Sequence, residues 1–241
     1  CGWPDHVQRQ ILTRATSLMP RSLRHLLARH RRNLVTGARE AGSGTTLKGA
    51  GEQQGPMEAA GAAAGLQESL TRITALVNGH ARLAQVAREM GRAAHLVAVL
   101  SNPLCTVPSD PQAALYAPRF GTYMADGLDR FRIVFEGYRD PFLTRKDVLA
   151  FGRRLADRSR SYVDDLVGAY VRFDVEPDPA LFDERSVVFG IASLSFSRSV
   201  NDTARVWLHD WEQAHGDLSG LPLPLDRESD SRAGPIHGDA P

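Results

Sequence analysis

A strongly basic stretch near the start of the chain has the residue types that point most directly to binding chemistry. Five arginines occur within one predicted helical stretch: Arg21, Arg24, Arg29, Arg31 and Arg32. Leucines at helical spacing lie between them, so the stretch has an apolar stripe beside a basic face. Guanidinium groups bind phosphate oxygens through paired N–H donors, and this face is therefore suited to anionic lipid headgroups. An ordinary solvated helix face has the same composition and is the alternative.

The composition is that of an ordinary globular chain. It has 241 residues, of which 42% are hydrophobic and 24% charged, and its 29 basic and 28 acidic residues leave a net charge of +1. Such a balance gives no electrostatic footprint for nucleic acid. No apolar run is long enough to span a bilayer, and the mean hydropathy is −0.28. The sequence also lacks a Gly-rich phosphate loop, a Ser-His-Asp order and a Cys-x-x-Cys pair. We therefore expect neither specific nucleic-acid binding nor a transmembrane helix.

The secondary-structure elements that position these residues are all predicted to be helices. Apolar residues recur at helical spacing, and in no segment do apolar and polar residues alternate with a sustained period of two. We expect an all-α fold, a single domain of about six or seven helices. Residues 1–38 hold the N-terminal helices, which meet at Pro20, and residues 39–65 form a flexible Gly- and Ala-rich loop. Residues 66–225 form the helical core of the same domain, and residues 226–241 form a disordered tail.

Four helices are predicted in the core. One long helix covers 66–100, and a second lies around 123–138. Thr144 is expected to cap a third, with Asp147 completing a capping box. The last helix covers roughly 183–215.

The cysteine at the first position resembles the processed N-terminus of a bacterial lipoprotein. In such proteins the thiol carries diacylglycerol, and two or three acyl chains anchor the protein stably. The resemblance implies attachment to membrane lipid through Cys1, at a bacterial membrane and facing the periplasm or the cell exterior. The alternative is a chain boundary without biological meaning. A lipidated Cys1 leaves Cys105 without a partner, so we expect no disulfide and a small buried thiol.

Three parts of the sequence form a recognisable pattern. The first is Trp3 followed by a histidine at a helix start, and the second is Met90-Gly91-Arg-Ala-Ala-His followed by Asn-Pro-Leu. The third is a closing helix with Asn201, Arg205 and two tryptophans. The pattern resembles the superfamily of zinc-dependent phospholipases C and single-strand nucleases. The resemblance implies an all-α fold built around three zinc ions.

The resemblance also implies where zinc ligands should stand, and several of them are replaced. The matching positions that remain are His6, His95, Glu136 and, in place of a histidine, Cys105. Val99 stands at the position of an expected bridging carboxylate, and Arg132 replaces the histidine of a His-x-x-x-Glu pair. These losses remove the charge that activates a zinc-bound water. We therefore expect a pseudoenzyme without a cofactor, with zinc only if the remaining ligands form a reduced site.

Each of these residues also has a purely structural interpretation. The two histidines can cap or pack helices as neutral imidazoles, and Glu136 can pair with Arg132 one helical turn away. The leading hypothesis is a lipid-anchored accessory or structural subunit that binds a protein partner or membrane complex. The alternative hypothesis is a metal-dependent phosphodiesterase, of the phospholipase C or nuclease type, with a reduced metal complement.

Overall fold

Helices make up the regular structure of the described chain. The computed structural model describes residues 2–43, 59–173 and 182–225, and no strand occurs within these ranges. The helices are α1 (Asp5–Ser17), α2 (Arg21–Arg29), α3 (Arg31–Gly42), α4 (Ala59–Asn78), α5 (Leu83–Leu100), α6 (Pro111–Asp126), α7 (Pro141–Thr144), α8 (Val148–Arg160), α9 (Val163–Phe173) and α10 (Val187–Gln213). Two 3₁₀ helices, Pro103–Cys105 and Leu128–Arg130, lie between them. None of the described helices combines the length and the hydropathy needed to cross a membrane. The prediction of a single all-α domain is confirmed.

The central helix is α5, which packs against α3, α4, α8 and α10. Residues 93–100 of α5 are all buried, so the second half of the helix is enclosed on every side. A helix that is apolar all round is expected in such a position. The other helices therefore take their places around α5.

The contact between α3 and α5 is a direct crossing of two backbones. A Cβ atom added at Gly37 would lie 1.7 Å from the carbonyl oxygen of Arg88, and one at Gly91 would lie 1.9 Å from that of Leu34. Both distances are far below any van der Waals contact, so a larger residue at either position would force the helices apart. The glycine of the Met90-Gly91 motif is thus needed for packing.

Two predicted helices are interrupted. The predicted helix after Pro20 is divided at His30 into α2 and α3. The predicted helix over 66–100 is divided into α4 and α5 near His80, which has a left-handed φ of 51°. The two ends of the predicted loop 39–65 are helical, because α3 continues to Gly42 and α4 begins at Ala59. Its centre and the predicted disordered tail 226–241 lie outside the described residues.

The prediction of a helix over 123–138 is wrong. Helix α6 ends at Asp126, and residues 131–137 follow a non-helical path across the face of α10. The predicted cap at Thr144 is also wrong, since that residue ends α7. Asp147 is instead the N-cap of α8 and accepts a hydrogen bond from the backbone N–H of Ala150 at 2.9 Å.

Candidate functional site

His95 lies on α5 in a closely packed position. It is 7% exposed, and its ring lies between the N-terminal segment and the end of α3. A Cβ at Gly42 would lie 3.1 Å from His95 Cε1, and one at Gly2 would lie 3.2 Å from the same atom. Burial lowers the pKa of His95 to about 4, so the imidazole is neutral at physiological pH. The residue resembles a packed core histidine.

The other three expected zinc ligands lie in different environments. His6 is on the exposed face of α1, while Val7 on the same helix is buried. Glu136 lies in the non-helical segment after α6, where its carboxylate contacts Arg205 at 3.4 Å and Arg198 at 4.0 Å. The expected pairing of Glu136 with Arg132 along a helix is therefore wrong, because no helix exists there.

Cys105 is the fourth expected ligand, and the prediction that it is a free thiol is wrong. It is buried at the end of a 3₁₀ helix and is disulfide-bonded. A disulfide sulfur is not a thiolate and is not a zinc ligand. The sequence contains one other cysteine, Cys1, which lies outside the described residues. A Cys1 joined to Cys105 has no thiol left for diacylglycerol, so that pairing and lipidation of Cys1 exclude each other.

The described donors do not fit a zinc cluster. No group of three or more His, Cys, Asp or Glu side chains within residues 2–43, 59–173 and 182–225 is placed to hold a metal ion. The two internal segments outside these ranges, 44–58 and 174–181, contain neither histidine nor cysteine. Three zinc ions need several imidazoles and carboxylates converging on one place. The four expected ligands do not provide this arrangement.

Helix α10 uses a row of polar side chains to hold the segment that was expected to be helical. Ser197, Asn201 and Arg205 are spaced by four residues and so lie on one helix face. Asn201 donates to the carbonyl of Val134 at 2.9 Å and accepts from the N–H of Glu136 at 3.1 Å. Ser197 Oγ accepts from the N–H of Val134 at 3.0 Å, and Arg205 Nε donates to the carbonyl of Gly137 at 2.9 Å. We call Ser197, Asn201 and Arg205 the polar row.

The polar row continues into a buried ion pair. Asp202 is fully buried, accepts from Arg205 at 2.9 Å and forms a second ion pair with Arg158 of α8. A buried carboxylate is tolerated only when it is paired in this way. These polar residues of α10 therefore join α8, α10 and the 131–137 segment, which is a structural role.

A groove lined by charged side chains lies beside the junction of α2 and α3. It encloses about 900 Å³. Its charged lining consists of Arg9, Arg29, Arg31, Arg32 and Arg39, and we call it the arginine groove. The remaining lining residues are small, apolar or neutral polar.

One carboxylate partly offsets the charge of the groove. Asp5 accepts hydrogen bonds from Arg9 and from Arg39 Nε, both at 3.0 Å. The hydrogen bond from Arg39 lowers the pKa of Asp5, and Asp5 in turn raises the pKa of Arg39. In the described structure, no carboxylate forms an ion pair with the other three arginines of the groove, which are all exposed. The groove therefore keeps a large excess of positive charge.

The basic face predicted from the sequence divides into two parts. Arg29, Arg31 and Arg32 line the arginine groove. Arg21 and Arg24 do not, because they lie at the start of α2, where the N–H of Arg21 donates to the carbonyl of Ser219 at 3.0 Å. Three of the five arginines of the predicted contact surface therefore line the groove.

Two arginines of the groove were missed by the sequence analysis. Arg9 comes from α1 and Arg39 from the last turn of α3, so neither belongs to the basic stretch. No spacing rule links them to that stretch, because their meeting depends on tertiary packing. The polar row did leave a signal, since Ser197, Asn201 and Arg205 recur every four residues and so share one face of α10.

Comparisons with known proteins support the fold and add no residue roles. No family model matches the chain, and no curated protein matches its sequence. Among solved structures, the alpha-toxin of Clostridium perfringens from avian strain SWCP is similar, with a TM-score of 0.63 at 12% sequence identity. The match covers 90% of this chain and 67% of the toxin chain. At this identity the similarity shows the fold alone, and it supports the phospholipase C-like all-α fold expected from the sequence.

Proposed function

We propose that this protein is a non-enzymatic binding subunit with a phospholipase C-like fold, which acts at a bacterial membrane surface outside the cytoplasm. The observation that carries the proposal is the separation of the expected zinc ligands. His95 is packed between backbone segments, His6 is exposed, Glu136 is paired with arginines, and Cys105 is in a disulfide. A fold alone does not transfer an activity when its site has changed.

The disulfide supports the proposed location. Disulfides persist in oxidising compartments such as the periplasm and the cell exterior, and they are rare in the cytosol. The location therefore no longer depends on a lipidated Cys1. We expect the protein purified from the periplasm of a bacterial host to show no free thiol when denatured without reductant. A full complement of free thiols in such protein would contradict the proposed compartment.

Metal analysis and a hydrolysis assay test the absence of catalysis. The purified wild-type protein and a His95→Gln variant are each dialysed against zinc, washed and analysed for bound metal. Each is then assayed with bis-p-nitrophenyl phosphate and with phosphatidylcholine. We expect no stoichiometric zinc and the same background hydrolysis for both proteins.

One outcome would overturn the proposal in favour of a metal-dependent phosphodiesterase. That outcome is stoichiometric zinc in the wild type, lost in His95→Gln together with hydrolysis of a phosphodiester. A His25→Gln variant serves as the matched control, because His25 is exposed on α2, is not one of the expected ligands and is expected to leave both measurements unchanged.

A further inference from the structure

We infer that the arginine groove binds the phosphate group of anionic phospholipids and so holds the protein at a membrane surface. The inference rests on the proposed function, of which it specifies the ligand. It concerns a surface formed by α1, α2 and α3, whereas His95 lies on α5.

The charge of the groove favours a phosphate. Five guanidinium groups line it, and the carboxylate of Asp5 is the only described acidic group that pairs with any of them. Arginine presents a planar fork of N–H donors that matches two phosphate oxygens, and a groove with several such forks can hold one phosphate from more than one side. Basic clusters of this size at a protein surface are attracted to anionic membranes.

The first turn of α3 lies at the groove. Arg31, Arg32 and Asn33 line it and form that turn, which has no acidic residue and no side-chain cap. Their N–H groups have no acceptor within α3, as is general for the first turn of a helix, and such a turn favours a nearby anion. Helix α2 ends at the same junction, and the partial negative charge of its end offsets part of this effect. The arginine side chains therefore supply most of the attraction.

An apolar cleft next to the groove favours a lipid over a free phosphate. The cleft encloses about 150 Å³ and shares Arg9, Ala28, Arg31 and Val35 with the groove. Its floor is formed by the side chains of Leu12, Leu27 and Leu34. A ligand with a phosphate beside a few methylene groups would satisfy both surfaces, whereas an inorganic ion would leave the cleft unused.

Vesicle sedimentation with charge-matched variants tests the inference. The wild-type protein is mixed with phosphatidylcholine vesicles, with or without phosphatidylglycerol, at low and physiological salt. The groove variant replaces Arg29, Arg31 and Arg32 with Gln. A control variant replaces Arg82, Arg132 and Arg153, three exposed arginines outside the groove, so both variants lose the same net charge.

We expect the wild type to bind only the vesicles that contain phosphatidylglycerol. We expect the groove variant to bind them about 100-fold more weakly, which is the loss expected for three arginines at an anionic surface, and the control variant to bind within about threefold of the wild type. Circular dichroism confirms that both variants are folded. Equal losses in the two variants, or no wild-type binding to either vesicle, would overturn the inference.

A second arm separates a membrane lipid from a soluble ligand. Soluble glycerol 1-phosphate is titrated into the wild type and followed by calorimetry. Tighter binding of glycerol phosphate than of the phosphatidylglycerol vesicles would also overturn the lipid assignment. A negative vesicle result leaves the metal and hydrolysis tests of the proposed function unaffected, so the two failures are distinguishable.

Discussion

The glycine crossing between α3 and α5 leads to a prediction in which two effects have opposite signs. In an ordinary helix, replacing Gly by Ala stabilises the protein by roughly 1 kcal/mol, because glycine loses more backbone entropy on folding. At Gly91 the added Cβ would lie 1.9 Å from the carbonyl oxygen of Leu34 and 2.8 Å from its carbonyl carbon. These are backbone atoms, so no change of rotamer relieves the clash.

The expected magnitude follows from the cost of separating two packed helices. Overpacking a core costs about 1–3 kcal/mol, and a backbone clash lies at or above the upper end of that range. After the helix-propensity gain is subtracted, Gly91→Ala is expected to lose at least about 2 kcal/mol, a fall in Tm of roughly 4–8 °C for a domain of this size.

Thermal unfolding followed by circular dichroism checks this prediction. The matched control is Gly190→Ala in α10, where an added Cβ would meet no atom within 4 Å. We expect the control to have a slightly higher Tm than the wild type. If Gly91→Ala were as stable as the wild type or more stable, the close approach of α3 and α5 would be refuted.

Three further predictions concern buried ionisable groups. Asp202→Asn leaves Arg158 without its carboxylate and Arg205 with Glu136 alone, and it should destabilise the protein by about 3 kcal/mol in urea unfolding. Asp165→Asn on the surface should change the free energy of unfolding by less than about 0.5 kcal/mol. Burial raises the pKa of Asp210 from 3.8 to about 8, so between these pH values the folded state holds a proton that the unfolded state releases. The free energy of unfolding should therefore fall as pH rises from about 4 to about 8, and Asp210→Asn should remove this fall. Burial lowers the pKa of His95 from 6.5 to about 4, so stability should also fall as pH drops from about 6.5 to about 4, and His95→Gln should remove that loss. Free energies of unfolding measured across the pH range separate the two effects, and an unchanged profile in either variant would contradict the corresponding assignment.

Helical periodicity predicts which segments are helical better than it predicts where helices break. The break between α4 and α5 is hard to predict, because the residue with left-handed backbone there is His80 and not a glycine. The dipeptide Asn78-Gly79 just before it is nevertheless a recognised turn signal. The turn is closed by a hydrogen bond from the N–H of Ala81 to the carbonyl of Leu76 at 2.9 Å. It allows α4 to fold back onto α5, so tertiary packing decides where the apolar stripe is interrupted.

The segment after α6 shows a different limit. Phe131, Ile133 and Phe135 recur with a period of two, which is typical of an extended chain. The stretch is short and also contains the apolar Val134, so this signal does not outweigh the helical one. Its backbone donors and acceptors are satisfied by the polar row, which lies more than sixty positions later in the sequence. Local propensity carries no information about partners at that separation.

The candidate sites could also be predicted only in part from the sequence. The resemblance of His95 and the Met90-Gly91 motif to the phospholipase C pattern is consistent with the similarity in fold, but it does not fix the chemistry, because ligand positions can keep their spacing while their surroundings change. Three arginines of the groove could be predicted from their density in the sequence. Arg9 and Arg39 could not, because they join the groove only after α1 and the last turn of α3 have packed.

Helix α3 extends from the arginine groove to the ring of His95. Its first residue, Arg31, lines the arginine groove, and its last residue, Gly42, touches the ring of His95, about 17 Å further along the helix axis. At Gly37 the backbone of α3 lies directly against that of α5. A tilt of α3 caused by binding at the groove would change the surroundings of the His95 ring, which makes the His95 ring resonances a natural NMR reporter for events at the groove.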